Sequence, residues 1–278
     1  MSKAANGGPP LLARQRQERI LAWVEDHGAV RVAEIVSSLG VSEMTARRDI
    51  TELVDRGLVD RVHGGAVALE PAAVEPSFES KSIQYVSEKA RIAEVAVPRI
   101  RPGEAVALTA GTTTLAVARA LTTLPHFATL TIVTNSLPSA QVLYEATLQA
   151  RAEGKTAPTV MLSGGKRTPS DALVGMLAIE TFQQLRLDWV FAGAHGYDLE
   201  VGLMTPNMSE AATNTAMIEA SRTVVAVLDH TKWGVAGLRS FCHPSRIGVI
   251  VTDQEPDRAT RESLVNHGIN LEVAKRDA

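Results

Sequence analysis

Residues 33–56 constrain the fold more than any other stretch of the sequence. Two segments with a helical spacing of apolar residues, 33–39 and 43–56, are separated by Gly40, Val41 and Ser42. Glycine ends helices in the left-handed conformation, and serine caps the N-terminus of a following helix. Another helical stretch, 11–27, and a short β-branched segment, 30–32, precede them. We therefore predict three helices, of which the last two form a helix-turn-helix.

The predicted third helix has an apolar face and a polar face. At about 100° per residue, Ala46, Ile50 and Leu53 fall together and should pack on the first two helices. The opposite face carries arginine and hydroxyl groups near the helix end that meets base edges in the major groove. Residues 58–69 then alternate around Gly64-Gly65, which predicts a hairpin, or wing. The residues expected to contact DNA are Ser42, Met44, Thr45, Arg47, Arg48, Thr51, Arg61 and His63.

Charge gives little support for a nucleic-acid partner. The 278-residue chain has a formal net charge of −3, and acidic residues outnumber Lys and Arg between Leu11 and Glu70. Two adjacent arginines on one helix are usually just a solvated face. The agreement of the glycine turn, the serine cap, the apolar face and the hairpin still favours DNA binding. Affinity must then come from a few well-placed contacts, doubled in a two-fold dimer.

Composition and the positions of proline and glycine divide the chain into segments. We expect a disordered tail over 1–10, a winged helix-turn-helix domain over 11–69, a linker with two prolines over 70–76, and an α/β domain over 77–278. The N-terminal residues do not resemble a signal peptide, and no apolar run approaches the ~20 residues that span a bilayer. The single cysteine, Cys242, fits a reducing compartment. We therefore expect a cytoplasmic protein with no membrane partner.

The region after the linker alternates short apolar strands with helices, which predicts a mostly parallel sheet covered on both faces. Ser87 is expected to cap the first of these helices. The predicted strands are 105–108, 130–134, 159–162, 189–192, 223–228, 248–252 and 270–273, and the predicted helices are 88–100, 113–124, 138–149, 178–185, 209–221 and 258–267.

Small polar loops follow five of the predicted strands. Ligands of such folds bind beyond the carboxyl ends of the strands. Residues 109–114 combine glycine and hydroxyls at a helix N-terminus, which suits an anion such as phosphate. The other loops are 134–136, 163–166, 193–196 and 229–234. Each loop alone could be only a turn or a cap, but together they predict a crevice for a small phosphorylated, hydroxylated molecule.

These features together resemble the DeoR family of bacterial transcription regulators. In the first domain the resemblance lies in residues 16–20, Val41-Ser42, Thr45, residues 47–50, Leu53, Gly57-Leu58, Arg61 and residues 63–66. In the second it lies in Glu88-Lys89, residues 111–113, residues 134–136, Gly164-Gly165, Gly175, Asp188, Gly193, Gly196, Gly202, Glu210, Asp229, Lys232 and Gly234.

The resemblance implies a sensor half similar in fold to ribose-5-phosphate isomerase, which binds a phosphorylated sugar or related metabolite. With the strand-end loops, it implies an effector site of Gly111, Thr112, Thr113, Thr114, Asn135, Ser136, Gly164, Gly165, Gly193, Glu210 and Lys232. Two positions depart from the family pattern. Thr109 stands where many members have an acidic residue, and Asn214 stands where many have lysine. Both changes remove a charge from the expected crevice.

We expect a DeoR-type regulator, a repressor of a carbohydrate operon, that a phosphorylated metabolite releases from double-stranded operator DNA. It should form a homodimer or higher homo-oligomer and need no metal or cofactor. The alternative is a sugar-phosphate isomerase-like enzyme with an accessory DNA-binding domain, in which Glu210, Asp229 and Lys232 would carry the chemistry. A DNA-binding architectural protein without a ligand would not explain the polar strand-end loops.

Overall fold

A computed structural model describes residues 12–27, 29–56, 58–62, 64–68 and 77–275. The chain divides into two compact units, Met1–Pro71 and Ala72–Ala278. The predicted tail and linker lie outside the described residues, as do Gly28 and Gly57, which the sequence predicts as the ends of the first and third helices.

The first unit contains three helices and a small antiparallel sheet. Its elements are α1 Ala13–His27, β1 Ala29–Arg31, α2 Val32–Leu39, α3 Glu43–Asp55, β2 Val59–Val62 and β3 Gly65–Ala68. Within the described part of this unit, β3 lies between β1 and β2 and pairs antiparallel with both. The predicted helix-turn-helix and wing are therefore confirmed.

The turn between α2 and α3 forms for the reasons that the sequence suggested. Gly40 has φ 65°, and its N–H donates to the carbonyl of Val36 over 3.1 Å. The Ser42 hydroxyl accepts the backbone N–H of Thr45 over 3.2 Å and so caps α3. Ala46, Ile50 and Leu53 are at most 1% exposed, as the helical wheel predicts. The backbone geometry of the turn thus directs the opposite face of α3 to the surface.

A buried ion pair, which the sequence did not reveal, also holds α3 in place. The guanidinium of Arg16 on α1 donates to both carboxylate oxygens of Asp49 on α3, over 2.7 and 3.0 Å. The Asp49 side chain is 2% exposed and that of Arg16 is 15% exposed. A two-bond contact between planar groups fixes orientation as well as distance, so it sets how α3 lies on α1.

We predict that Arg16→Met destabilises the first unit by roughly 3 kcal/mol, because it leaves the Asp49 carboxylate buried without its partner. Hydrogen exchange of the α1 and α3 amides in the full chain measures this. The double variant Arg16→Met/Asp49→Leu should recover much of the loss. Arg14→Met, which breaks the exposed pair with Glu18, is the matched control and should have almost no effect. Equal protection in the wild type and Arg16→Met would contradict the prediction.

The second unit alternates helices with strands. Its helices are α4 Phe78–Ser82, α5 Val86–Ala96, α6 Thr112–Leu121, α7 Leu137–Ala152, α8 Met176–Gln183, α9 Met208–Ala220 and α10 Arg258–Asn266. Its strands are β4 Ala105–Leu108, β5 Thr131–Thr134, β6 Thr159–Leu162, β7 Lys166–Arg167, β8 Leu173–Val174, β9 Leu187–Ala192, β10 Gly196–Asp198, β11 Gly202–Thr205, β12 Ser221–Leu228, β13 Arg239–Cys242, β14 Ile247–Thr252 and β15 Asn270–Val273.

All seven predicted strands of this unit form, and they pair in parallel in the order β15-β14-β12-β9-β4-β5-β6. Alternate residues enter two separate cores. Ala107 and Val190 pack with α8 and α9, while Val106 and Phe191 pack on the other face with α5 and α6. The predicted α/β architecture, a parallel sheet covered on both faces, is confirmed.

The strand order reverses beside β4. The chain passes from β4 outward to β5 and β6, then returns to add β9, β12, β14 and β15 on the other side. The loops that leave β4 and β9 therefore diverge, which opens a crevice at their carboxyl ends.

Some local features differ from the sequence prediction, among them α4, which was not predicted. The helix expected over 88–100 begins at Val86, and Tyr85 in the left-handed conformation (φ 51°), not Ser87, occupies its N-cap position. It ends at Ala96 because Pro98 in the following 3-10 turn has no N–H to donate. The pair β7-β8 and the antiparallel sheet β10-β11-β13 were not predicted, because strands this short carry almost no periodicity.

Candidate functional site

The exposed face of α3 presents the predicted DNA-contacting residues. Met44 is 81% exposed, and so is the Arg48 side chain. Arg47 pairs with Glu43 over 2.6 Å and Arg48 pairs with Glu52 over 3.2 Å, each one turn along the helix. These exposed pairs contribute little stability, so the guanidinium groups can exchange them for nucleic acid at low cost.

The remaining predicted DNA-contacting residues differ in their hydrogen bonds and exposure. The Ser42 and Thr45 hydroxyls lie 2.8 Å apart, and the Thr51 hydroxyl donates to the carbonyl of Arg47 over 2.8 Å. Arg61 lies on β2 with an exposed side chain. His63 lies outside the described residues. The structure thus brings the α3 residues together on one surface.

A cleft of the second unit lies where β4 and β9 end, at the reversal of the strand order. Six of the predicted effector residues line it: Gly111, Thr112, Thr113, Gly193, Glu210 and Lys232. The wall also includes residues that were not predicted to bind the effector: Lys81, Gln84, Tyr85, Lys89, Ala110, Ser170, Ala194, His195, Thr205, Pro206, Asn214, Asp229 and Phe241.

The other five predicted effector residues are not part of this wall. Thr114 is buried, and its hydroxyl donates to the carbonyl of Gly111 over 3.0 Å. Asn135 and Ser136 follow β5: the amide donates to the carbonyl of Leu173, and Ser136 caps α7. Gly164 and Gly165 follow β6, and a side chain on Gly165 would collide with the backbone of Val174. Because β5 and β6 lead away from the strand reversal, their loops lie beyond the cleft.

The N-terminus of α6 forms part of the cleft wall. Gly111 occupies the N-cap position with φ 145°, so no side chain covers the first N–H groups of that helix. Thr112 and Thr113 add hydroxyls, and Lys81 and Lys232 line the same cleft. Unpaired helix N–H groups, the helix dipole and nearby ammonium groups together suit a phosphate.

Two carboxylates in the wall are held differently. Glu210 Oε1 accepts the Thr168 hydroxyl over 2.6 Å and also the Ser170 hydroxyl. Asp229 Oδ1 accepts the backbone N–H of Thr231 over 3.0 Å and the hydroxyl of the same residue. Both carboxylates are buried, at 9% and 1% exposure.

Lys89 is a buried, hydrogen-bonded cation of the cleft. It is 5% exposed, and its ammonium donates to the carbonyls of Lys81 and Gln84 over 2.8 and 2.7 Å. Burial lowers the pKa of Lys89 to about 8, and the nearby Asp229 carboxylate opposes that shift. A lysine on a helix does not by itself indicate burial in the sequence. The one signal that could have pointed to Lys89 is its place in the Glu88-Lys89 pair of the family pattern.

Of the two departures from the family pattern, Asn214 lies in the cleft wall, whereas Thr109 is buried next to the wall residues Ala110 and Gly193. Thr109 is fully buried, and its hydroxyl accepts the backbone N–H of Gly193 over 3.1 Å, which ties the loop after β4 to the loop after β9. Asn214 lies on α9, 6% exposed, in the cleft wall. The wall therefore has a neutral amide at this position.

The described residues hold no cluster of three or more metal-ligating side chains, and no helix among them is long and apolar enough to cross a bilayer.

Comparison with known proteins matches both units. Residues 16–72 match the family described as DeoR-like helix-turn-helix domain, and residues 84–254 match the DeoR C terminal sensor domain. HTH-type transcriptional regulator GlpR of Haloferax volcanii is 34% identical over 94% of this chain and 98% of its own. The glycerol-3-phosphate regulon repressor of Escherichia coli K12 is 33% identical over 93% and 98%. A putative aga operon transcriptional repressor of Escherichia coli O157:H7 is 31% identical over 92% of each chain.

Solved structures also align with the chain. Ribose 5-phosphate isomerase A of Methanocaldococcus jannaschii aligns with 54% of this chain and 55% of its own, at 15% identity and a TM-score of 0.39. The full-length sorbitol operon regulator SorC of Klebsiella pneumoniae aligns with 91% and 98%, at 13% identity and a TM-score of 0.40.

We predict that Lys89 makes the stability of the second unit depend on pH. The pKa of Lys89 is lowered on folding to about 8. Between about pH 8 and its unfolded value of about 10.4, the unfolded chain binds more protons, so stability should rise with pH in this window. Urea unfolding at about pH 7.5 and about pH 9.5 measures the gain.

Lys89→Met should lose this gain, whereas Lys155→Met, at an exposed surface lysine, should keep it. An identical pH dependence in the wild type and Lys89→Met would show that Lys89 keeps its usual pKa.

Proposed function

This chain belongs to the DeoR family of helix-turn-helix transcriptional regulators, and from that membership we propose that it represses a carbohydrate-metabolism operon and is released by a phosphorylated metabolite. Operator binding is assigned to α3 and the wing, and effector binding to the cleft at the ends of β4 and β9. The observation that carries the proposal is the pairing, in one chain, of an exposed arginine-bearing α3 with a cleft that combines a helix N-terminus and three lysines.

The effector chemistry follows from the cleft wall. The α6 N-terminus with Lys81 and Lys232 suits the phosphate of an effector. The buried hydroxyls and carboxylates suit hydroxyl groups on the rest of the molecule. One relative is named as a glycerol-3-phosphate regulon repressor, which supports a phosphorylated polyol in this class. The names of the relatives favour a regulator over an isomerase-like enzyme.

We further propose that the protein acts in the cytoplasm as a two-fold dimer or higher homo-oligomer on double-stranded DNA. A single helix-turn-helix makes too few contacts for tight specific binding, and two copies match the two half-sites of an operator. Because α3 exposes few arginines, a second copy is needed to double the number of DNA contacts.

We predict that Arg48→Ala weakens operator binding by roughly 1–3 kcal/mol and relaxes the preference at one base position, because Arg48 occupies the groove-facing side of α3. Titration of labelled DNA from upstream of the gene's own operon, with single-base variants, measures both effects. Arg61→Ala should instead weaken binding to all DNA sequences about equally. It should also reduce the slope of log affinity against log salt concentration by about one.

Arg14→Ala is the matched control for Arg48, since Arg14 also forms an exposed pair one turn along a helix, but on α1. Unchanged operator affinity in Arg48→Ala would show that a different face of α3 meets the DNA.

We predict that Lys232→Ala removes the effector response and leaves operator binding intact, because Lys232 lies in the cleft and not on the first unit. Operator binding is measured with and without a panel of sugar and polyol phosphates, with Lys155→Ala as the surface control. Absence of sequence-specific binding by the wild type would remove the regulator half of the proposal. Absence of response to the whole panel would remove the phosphorylated effector.

A further inference from the structure

Asp229 has an unused hydrogen-bond acceptor in the wall of the cleft. Its Oδ1 is engaged by Thr231, but its buried Oδ2 has no hydrogen-bond partner among the described residues. A buried carboxylate oxygen without a donor is energetically costly, because it has lost its water and gained no partner. Because Asp229 lines the cleft, the donor that removes this cost can come from a bound ligand.

The neighbouring ammonium of Lys89 has the complementary property. A lysine ammonium has three N–H donors, and the carbonyls of Lys81 and Gln84 take two of them. The Lys89 and Asp229 charges influence one another, yet no hydrogen bond joins the two side chains among the described residues. The wall of one cleft thus holds both a residue with a remaining donor and a residue with a remaining acceptor.

A hydroxyl group satisfies both partners at once, because it donates one hydrogen bond and accepts others. A phosphate or carboxylate would bring a second negative charge against Asp229. A ligand ammonium would stand beside Lys89 and Lys232, which line the same cleft. A neutral hydroxyl avoids both repulsions.

We propose that Asp229 and Lys89 form a hydroxyl subsite in which a ligand O–H donates to Asp229 Oδ2 and accepts from Lys89 Nζ. This rests on the proposed function and narrows its effector class. The effector then has a phosphate, which binds at the N-terminus of α6, and a separate neutral hydroxyl, which binds between Asp229 and Lys89. Glu210 is not equivalent to Asp229, because hydroxyls of Thr168 and Ser170 already bind its Oε1.

The test compares probes that differ in their hydroxyl groups, and protein variants that each alter one partner of the subsite. Inorganic phosphate, propyl phosphate, glycerol 3-phosphate and sorbitol 6-phosphate are titrated calorimetrically into the full chain. The wild type should bind at least one polyol phosphate about tenfold or more tighter than propyl phosphate, as expected for a hydrogen bond to a charged group.

In Asp229→Asn this preference should fall to about threefold or less, while inorganic phosphate binds no more weakly than to the wild type. Asp198→Asn is the matched control, since Asp198 also accepts backbone N–H groups but lies outside the cleft wall, and it should keep the wild-type preference. Lys89→Met is the second variant if Asp229→Asn does not fold, and it should lose the preference as well.

Three results separate the possible failures. A full preference in a folded Asp229→Asn or Lys89→Met would overturn the subsite. Equal binding of propyl and polyol phosphates by the wild type would overturn the subsite and leave the phosphate-binding cleft in place. No binding of any probe would overturn both the subsite and the phosphorylated effector of the proposed function.

Discussion

The parallel pairing of β4 with both β5 and β9 is the constraint on which the candidate effector cleft depends. Parallel strands share one carboxyl edge, and the chain leaves β4 in one direction before it returns on the other side. The loops after β4 and β9 therefore diverge, with Thr109 joining them through the N–H of Gly193. The α6 N-terminus, Glu210, Asp229 and Lys232 are brought to the same place only because this edge exists.

The charged residues that matter are exposed in the first unit and buried in the second. In the first unit, Arg47 and Arg48 are paired with acids on their own helix and remain exposed, so they can exchange partners with DNA. In the second, Lys89 and Asp229 are buried, where each missing partner is costly and a ligand can supply it. The first arrangement suits a surface that binds a polyanion reversibly, and the second suits a cleft that selects a small molecule.

The sequence predicted the three helices of the first unit, the seven strands of the parallel sheet and the longer helices around it, because hydrophobic periodicity and turn residues are local signals. It predicted the buried face of α3 for the same reason. It did not reveal the Arg16–Asp49 pair, whose partners are far apart in the chain and carry no local signature. Nor did it reveal that Tyr85 precedes α5 in a left-handed conformation, since a tyrosine rarely adopts that conformation and does not predict it.

The sequence by itself determined that the chain has a helix-turn-helix with a wing and an α/β half with polar loops after its strands. Ser42, Gly40 and the glycine-hydroxyl run at 111–113 act through neighbours a few residues away, so the pattern carries the information. Only the tertiary structure decided which loops share a cleft. Strand order separates Asn135 and Gly164 from Gly111 and Gly193, although all follow strands in the same way. It also buries Lys89 beside Asp229, because that neighbourhood depends on how α5 packs on the sheet, which no local pattern encodes.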